Sequence, residues 1–201
     1  LTMIDSERLA PQGLRAFTIV KEPRHGPLTA PVPADRGLCS NCALEIASSN
    51  DRRHKYSFTS CTQCGPRYTV ICAMPFERAD TTMAGFALCG ECRGEYERPG
   101  DRRFHAQTTA CGVCGPEVWC TLGDTKLRGL QAIQAAAHRL QAGEIIAVRG
   151  LGGYQLLVDA TNPAAVDRLR DRKGRRAKPL AVMVKSIEAA RGLARMDQTE
   201  L

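Results

Sequence analysis

The sequence predicts an α+β chain in which a duplicated cysteine module, residues 38–121, precedes a separate α/β segment. Three observations predict it. Eight of the ten cysteines fall into one pattern written twice, Cys39-x2-Cys42-x18-Cys61-x2-Cys64 and Cys89-x2-Cys92-x18-Cys111-x2-Cys114, with each residue of the second copy 50 positions after its counterpart. After the second copy, apolar side chains recur at helical spacing and alternate with short β-branched runs, which is the order of an α/β layer. Before the first copy, Pro23, Pro27, Pro31 and Pro33 with Gly26 and Gly37 mark an extended linker over residues 23–37.

Residues 1–22 offer one strand-like run, Arg15 to Val20, with Phe17 and Ile19 on one face. A lone strand is unstable in water, so this one is expected to complete a domain lying mostly upstream. The chain starts on Leu1 and ends on Gln-Thr-Glu-Leu201, and it is expected to be a piece of something longer.

The cysteine modules carry the strongest chemical statement. Each C-x-x-C puts two thiolates on one tight turn, and two such turns close a tetrahedral Zn²⁺ site. The expected ligands are Cys39, Cys42, Cys61 and Cys64 in one site and Cys89, Cys92, Cys111 and Cys114 in the other, within modules 38–70 and 88–120. All four positions are then sulfur and none is left for water or substrate, so the zinc is structural. A region this poor in large apolar side chains needs such a staple. The duplication extends further: Asp51-Arg52-Arg53 recurs as Asp101-Arg102-Arg103, Glu45 as Glu95, and Cys64-Gly65-Pro66 as Cys114-Gly115-Pro116. The glycines are expected to let backbone N–H groups turn toward sulfur. A disulfide framework does not need the doublets, and no secretory segment is visible. Cys72 and Cys120 lie outside the pattern and read as ordinary thiols. His25, His54, His105 and His138 show no metal-ligand spacing; His54 and His105 are expected to pack beside the modules, and His138 to face solvent.

Beyond the modules, a helix is expected over residues 126–142 from Leu127, Leu130, Ile133, Ala137 and Leu140, with a cap near Thr125 and Gly143 ending it. Glu144 to Val148 reads as a buried strand and leads into Gly150-Leu151-Gly152-Gly153. That cluster lacks the Gly-Lys-Ser/Thr of a phosphate loop and the third glycine of a dinucleotide fingerprint, so a tight strand-to-strand turn is favoured. Asp159 to Pro163 reads as a turn and helix start, and Leu180 to Val184 as a second buried strand. Ser186 caps a last helix running to Leu193.

The formal charge of +7 is uneven: residues 125–201 carry 14 basic and 7 acidic side chains, and residues 1–124 balance. Thiolate sulfur around zinc makes the first part negative, which weakens any global argument for nucleic acid. Residues 168–178 nevertheless hold seven cations and one anion. Pro179 turns Lys178 out of helical geometry, so the helix ends near Arg172 and a cationic loop enters the sheet. Such a loop suits a phosphate or carboxylate; it equally suits a solvated helix end whose cations offset the helix dipole. No run is long and apolar enough for a membrane span, and reduced thiol ligands fit a cytoplasmic location.

Five motifs then carry a resemblance. Cys61-Thr-Gln-Cys-Gly-Pro-Arg-Tyr68, Thr81-Thr-Met83, Asp101-Arg-Arg-Phe-His-Ala-Gln107, Ala147-Val-Arg-Gly-Leu-Gly-Gly-Tyr154 and Arg172-Lys-Gly-Arg-Arg-Ala-Lys-Pro-Leu-Ala-Val-Met183 resemble, in order, the carbamoyltransferase family of NiFe-hydrogenase maturation, HypF. The resemblance runs from about residue 12 to the end. It implies that residues 1–22 close an acylphosphatase-like domain, that residues 38–121 are two four-cysteine zinc fingers, and that residues 122–201 begin a YrdC-like domain. It implies a reaction in which carbamoyl phosphate and ATP, with Mg²⁺, form a carbamoyl-adenylate. The carbamoyl group then passes to the C-terminal cysteine of a HypE-type partner, toward cyanide ligand synthesis. The Lys-x-Arg of YrdC-like domains maps onto Lys173 and Arg175, with Arg149, Tyr154 and Lys178 as further substrate- or nucleotide-binding candidates; no catalytic residue is assigned. Arg176 stands where the family often has proline, and a downstream Ser-x-Asn segment of such domains is missing, so the chain alone is expected to be inactive. An RNA-binding module built on the zinc fingers and the cationic stretch is the alternative, disfavoured by an aromatic content of 5%.

Overall fold

The computed structural model describes residues 10, 13, 31–197 and 199. The strand expected at residues 15–20 and most of the linker lie outside the described residues. The chain divides into two units, residues 1–31 and 32–201, and the elements of the second unit are as follows.

Each cysteine module begins with a two-turn helix, α1 at Ser40–Ala47 and α2 at Gly90–Glu97. The first ligand of each site is the N-cap residue, with extended backbone at Cys39 and Cys89, and the second sits in the first turn and is fully buried. Both helices are followed by the same left-handed turn. Lys55 and His105, 50 positions apart, have φ of 57° and 52°, and their N–H groups donate to the carbonyls of Ile46 and Tyr96 at 2.9 Å. That repeated turn brings the second C-x-x-C back over the helix N-terminus.

At the first knuckle the Gln63 N–H donates to Cys61 Sγ at 3.4 Å, as expected of the tight turn, and the glycines after the last ligands have a further task. The N–H of Gly65 donates to the Arg36 carbonyl, and that of Gly115 to the Cys111 carbonyl; neither turns to sulfur. Their role is clearance. A Cβ at Gly65 would stand 2.5 Å from Ser60 Cβ, and one at Gly115 would stand 2.1 Å from the Tyr56 hydroxyl and 2.5 Å from Ala110 Cβ. Gly65 also has φ +94°, a conformation costly for other residues. The connector between modules makes three short 3₁₀ turns, Tyr68–Val70, Arg78–Asp80 and Thr82–Gly85. Arg78 ties it down by donating to the carbonyls of Phe86, Gln107 and Thr109.

Strands β1 (Trp119–Leu122) and β2 (Thr125–Arg128) form an antiparallel hairpin, with Trp119 opposite Arg128 and Leu122 opposite Thr125. This corrects the expected helix over 126–142: the Gly123-Asp124 turn, with Gly123 at φ +56°, pairs residues 125–128 as a strand. Helix α3 is therefore Gly129–Gln141. Gly143, at φ +77°, ends it as expected. Strands β3 (Ile146–Gly150) and β4 (Gly153–Leu157) pair antiparallel through Leu151-Gly152, so the glycine cluster is the tight turn. Helix α4 (Pro163–Lys173) is capped by the Asn162 side chain, which accepts from Ala165 N–H, and Gly174 closes it in the left-handed region. Helix α5 (Ile187–Arg191) is capped by Ser186 and is shorter than the expected run to Leu193.

Two expected buried strands are not buried. β3 is mostly exposed, with Val148 at 42%. Residues 180–184 form no strand, and Val182 and Met183 are exposed. A strand exists through its ladder, and among the described residues β3 pairs only with β4 and nothing pairs with 180–184.

Gly115→Ala is expected to destabilise the zinc-loaded chain by about 1–3 kcal/mol, read from its urea midpoint, whereas Gly85→Ala, where a Cβ meets open space, is expected to be close to neutral.

Candidate metal centres and the cationic loop

The fold gathers the eight cysteines into two cages, each built from one repeat. In each, one ligand atom from every cysteine lies within 4.8 Å of all the others. Neighbouring Sγ atoms stand 3.7 Å apart for Cys39 and Cys61, 3.8 Å for Cys61 and Cys64, and 3.5 Å for Cys42 and Cys64. In the second cage Cys89–Cys111 and Cys111–Cys114 are both at 3.8 Å. Four sulfurs bound to zinc at ~2.3 Å in a tetrahedron lie ~3.8 Å apart, whereas a disulfide brings them to ~2.05 Å. All ten cysteines are free thiols, so the donor set fits Zn²⁺ and not a disulfide framework. Cys72 is exposed, and the Cys120 thiol lies 3.8 Å from the Ala132 carbonyl.

Electrostatics separate the ligands within each cage. Backbone N–H groups of Cys42 and Cys92 hold the Cys39 and Cys89 thiols down to about 7, as expected at a helix N-terminus. Burial pushes Cys42 and Cys92 up to about 12, against hydrogen bonds from Arg102 and Arg52 respectively. A thiol so disfavoured as an anion needs a cation beside it to ionise, and Zn²⁺ supplies that cation.

The repeated non-cysteine residues form the second layer of each cage, and they do so across the repeats. Arg52 donates through both terminal nitrogens to Cys92 Sγ at 3.3 Å and to Glu95 at 2.6 Å. Arg53, 1% exposed, donates to Glu95 at 3.0 and 2.5 Å and to the Ala110 carbonyl at 3.0 Å. The reverse set is present: Arg102 donates to Cys42 Sγ at 3.1 Å and pairs with Glu45, and Arg103 donates to Glu45 and to the Ser60 carbonyl. Burial disfavours the Glu95 carboxylate, yet Arg53 and Arg52 overcome it and hold its pKa down to about 2; Glu45 is likewise lowered by Arg103 and Arg102. Sequence reasoning saw these residues repeat but not their exchange. The repeat of the charged triplet and of the glutamate was the only signal, and it does not say which module each arginine faces.

His54 is half-buried beside the first module, and His105 packs against the Tyr96 ring at 5.1 Å. His138 is exposed on α3.

The candidate anion-binding residues fall into two groups. Lys173 is the last residue of α4, and Arg175 and Lys178 lie on the loop beyond Gly174. Arg170 Nη1 gathers that loop, donating to the carbonyls of Arg175, Arg176 and Lys178 at 3.2, 3.3 and 3.0 Å. Arg149 and Tyr154 face each other across the β3–β4 hairpin, with Tyr154 70% exposed. No hydrogen bond or ion pair among the described residues links the hairpin pair to the loop. The only carboxylate paired with a loop side chain among the described residues is Asp171, 3.9 Å from Arg176 at the surface, and no carboxylate among them pairs with Lys173, Arg175 or Lys178.

Comparison with known proteins matches this anatomy. A family described as "HypF finger" matches residues 38–71 and 88–121, and one described as "Telomere recombination" (Sua5, YciO and YrdC) matches residues 138–201. A Synechocystis protein named carbamoyltransferase HypF is 52% identical over 179 residues, 88% of this chain and 23% of its own length. The chain belongs to the HypF family. A carbamoyltransferase HypF of Rhodobacter capsulatus is 50% identical over 163 residues, 81% of this chain and 22% of the relative. The crystal structure of a full-length HypF in a phosphate- and nucleotide-bound form superposes with a TM-score of 0.73 at 40% identity, covering 85% of this chain and 22% of that one. The chain thus spans under a quarter of the length of these HypF proteins. Among the described residues, no helix is long and apolar enough to cross a membrane.

Two outcomes follow. Stripping metal with a strong chelator under reducing conditions is expected to unfold residues 38–121, because zinc binding at such sites contributes about 10–16 kcal/mol each; loss of near-ultraviolet and far-ultraviolet dichroism, restored by Zn²⁺, checks it. Arg170→Ala is expected to speed amide hydrogen exchange across residues 175–178 while leaving the first turns of α4 unchanged.

Proposed function

We propose that this chain is the zinc-finger and initial YrdC-like portion of a carbamoyltransferase acting on carbamoyl phosphate and ATP. The observation that carries the reading is its identity of 50–52% to proteins named carbamoyltransferase HypF. The cationic loop supports it, and so does the nucleotide and phosphate of the similar crystal structure. In this reading residues 1–22 end an acylphosphatase-like domain, residues 38–121 are the fingers, and residues 122–201 open the YrdC-like domain.

The chemistry asked of the loop is positioning. Carbamoyl phosphate and the ATP phosphates, with Mg²⁺, present several negative charges close together. Lys173 and Arg175, flanked by Lys178, supply cations fixed by the end of α4 and by the Arg170 clamp. Arg175 offers a planar fork for two phosphate oxygens, and Lys173 a compact point charge. Held in this way, the anions meet in one orientation, which is where most of the rate gain in such transfers arises. Arg149 and Tyr154 line the hairpin and would contact the substrate or the base from its side. The product would be a carbamoyl-adenylate, and the carbamoyl group would pass to the C-terminal cysteine of a HypE-type protein for cyanide synthesis. A reducing cytoplasm suits the thiolate ligands. The zinc sites stay outside the chemistry, since each has all four positions filled by sulfur.

The RNA-binding alternative draws on the same cations, but the Arg170 guanidinium is already engaged by three carbonyls. Carbamoyl-phosphate-dependent conversion of ATP to AMP and pyrophosphate, measured in the longer protein that contains this chain, separates the readings. Lys173→Ala and Arg175→Ala are each expected to lower kcat/KM by about 10- to 100-fold, the loss of one or more hydrogen bonds to a charged group. Full activity in both variants would move the site elsewhere.

A further inference from the structure

The cages are separate in their ligands but not in their second layer. Each module's arginine pair is set by its own fold. Asp51 accepts from the Arg53 N–H at 2.7 Å, and Asp101 from the Arg103 N–H at 2.8 Å. These turns follow helices whose N-terminal residues are that module's own ligands. The guanidinium groups, however, reach the other module: Arg52 to Cys92 Sγ and Glu95, Arg102 to Cys42 Sγ and Glu45. The sulfur atoms they reach, Cys42 and Cys92, are both 0% exposed. Neither therefore has water as an alternative donor.

A zinc bound by four thiolates carries two net negative charges, and here that charge is buried beside a glutamate. The guanidinium groups are the counter-charge. If zinc leaves the first cage, the turn that fixes Arg52 and Arg53 loses its anchor, and the second cage loses its cations. The same holds in reverse, as reciprocity of linked equilibria requires. We propose that the two zinc sites are coupled through these exchanged arginines, each module completing the outer sphere of the other module's metal. Outer-sphere partners of metal ligands are worth about 10–100-fold in affinity, and that is the size expected here.

The test uses the whole zinc-loaded chain, with Arg52→Gln and Arg102→Gln made separately. Arg52 and Arg102 are the outer members of each pair, with side chains 25% and 28% exposed, so their substitution spares the buried Arg53 and Arg103. The protein is equilibrated at graded concentrations of a zinc chelator and then given a short pulse of thiol alkylation. Peptide mass spectrometry reads which four cysteines are metal-free. In Arg52→Gln, the second cage (Cys89, Cys92, Cys111 and Cys114) is expected to open at about 10- to 100-fold less chelator than in the parent, ahead of the first. In Arg102→Gln, the first cage is expected to open ahead of the second. Opening that starts in the variant's own module, or that matches the parent in both variants, overturns the proposal.

Discussion

Sulfur bound to zinc takes the place of a hydrophobic core in residues 38–121. The buried apolar residues there are cysteines with Ala106, Ala110 and Met83, accompanied by buried threonines and by two arginines almost out of contact with water. Side chains this small and this polar bury too little apolar surface to offset the entropy of ordering the chain. The ligand geometry dictates the rest of the module. A helix must start at the first ligand so that the second falls in its first turn. A left-handed turn must return the chain over that helix, and glycine must follow the last ligand because residue 60 or 110 leaves no space for a Cβ.

The same constraint explains the buried charge. A lone arginine buried at this depth would be strongly destabilising. Here four guanidinium groups meet two carboxylates and the sulfurs of Cys42 and Cys92, with backbone carbonyls of Ser60 and Ala110 taking a further N–H each. The network closes only when both repeats are folded, and it gives the duplication a physical purpose beyond the presence of two sites. Two like modules can exchange partners symmetrically, and one alone would leave its arginines and its glutamate unmatched.

The sequence was most legible where spacing dictates geometry. The eight ligands, their in-repeat grouping, the Gly150–Gly153 turn, the helix start after Asp159–Pro163, the Ser186 cap and the Gly143 helix end all follow from local rules, and the structure has them. Two kinds of feature escaped. Residues 125–128 carry a helical period, yet Gly123-Asp124 pairs them back onto 119–122, a case of turn chemistry overriding apolar spacing. Val148 and residues 180–184 read as buried strands because they are β-branched and apolar, but burial depends on a partner, and composition does not reveal where a partner is. The arginine exchange escaped for the same reason: the residues were visible, and the contact between sequence-distant copies was not. The cationic loop follows α4 as expected but enters no strand among the described residues, and the residue that shapes it, Arg170, was hidden among seven like charges.

The account stands on two closed, all-sulfur zinc sites per chain. Zinc K-edge X-ray absorption on the zinc-loaded chain, with metal content measured on the same sample, tests this most directly. Two zinc ions per chain, each with four sulfur neighbours at about 2.3 Å and no nitrogen or oxygen in the first shell, is the predicted result. A single zinc per chain, a light-atom ligand in place of sulfur, or sulfur–sulfur bonding without metal would contradict it.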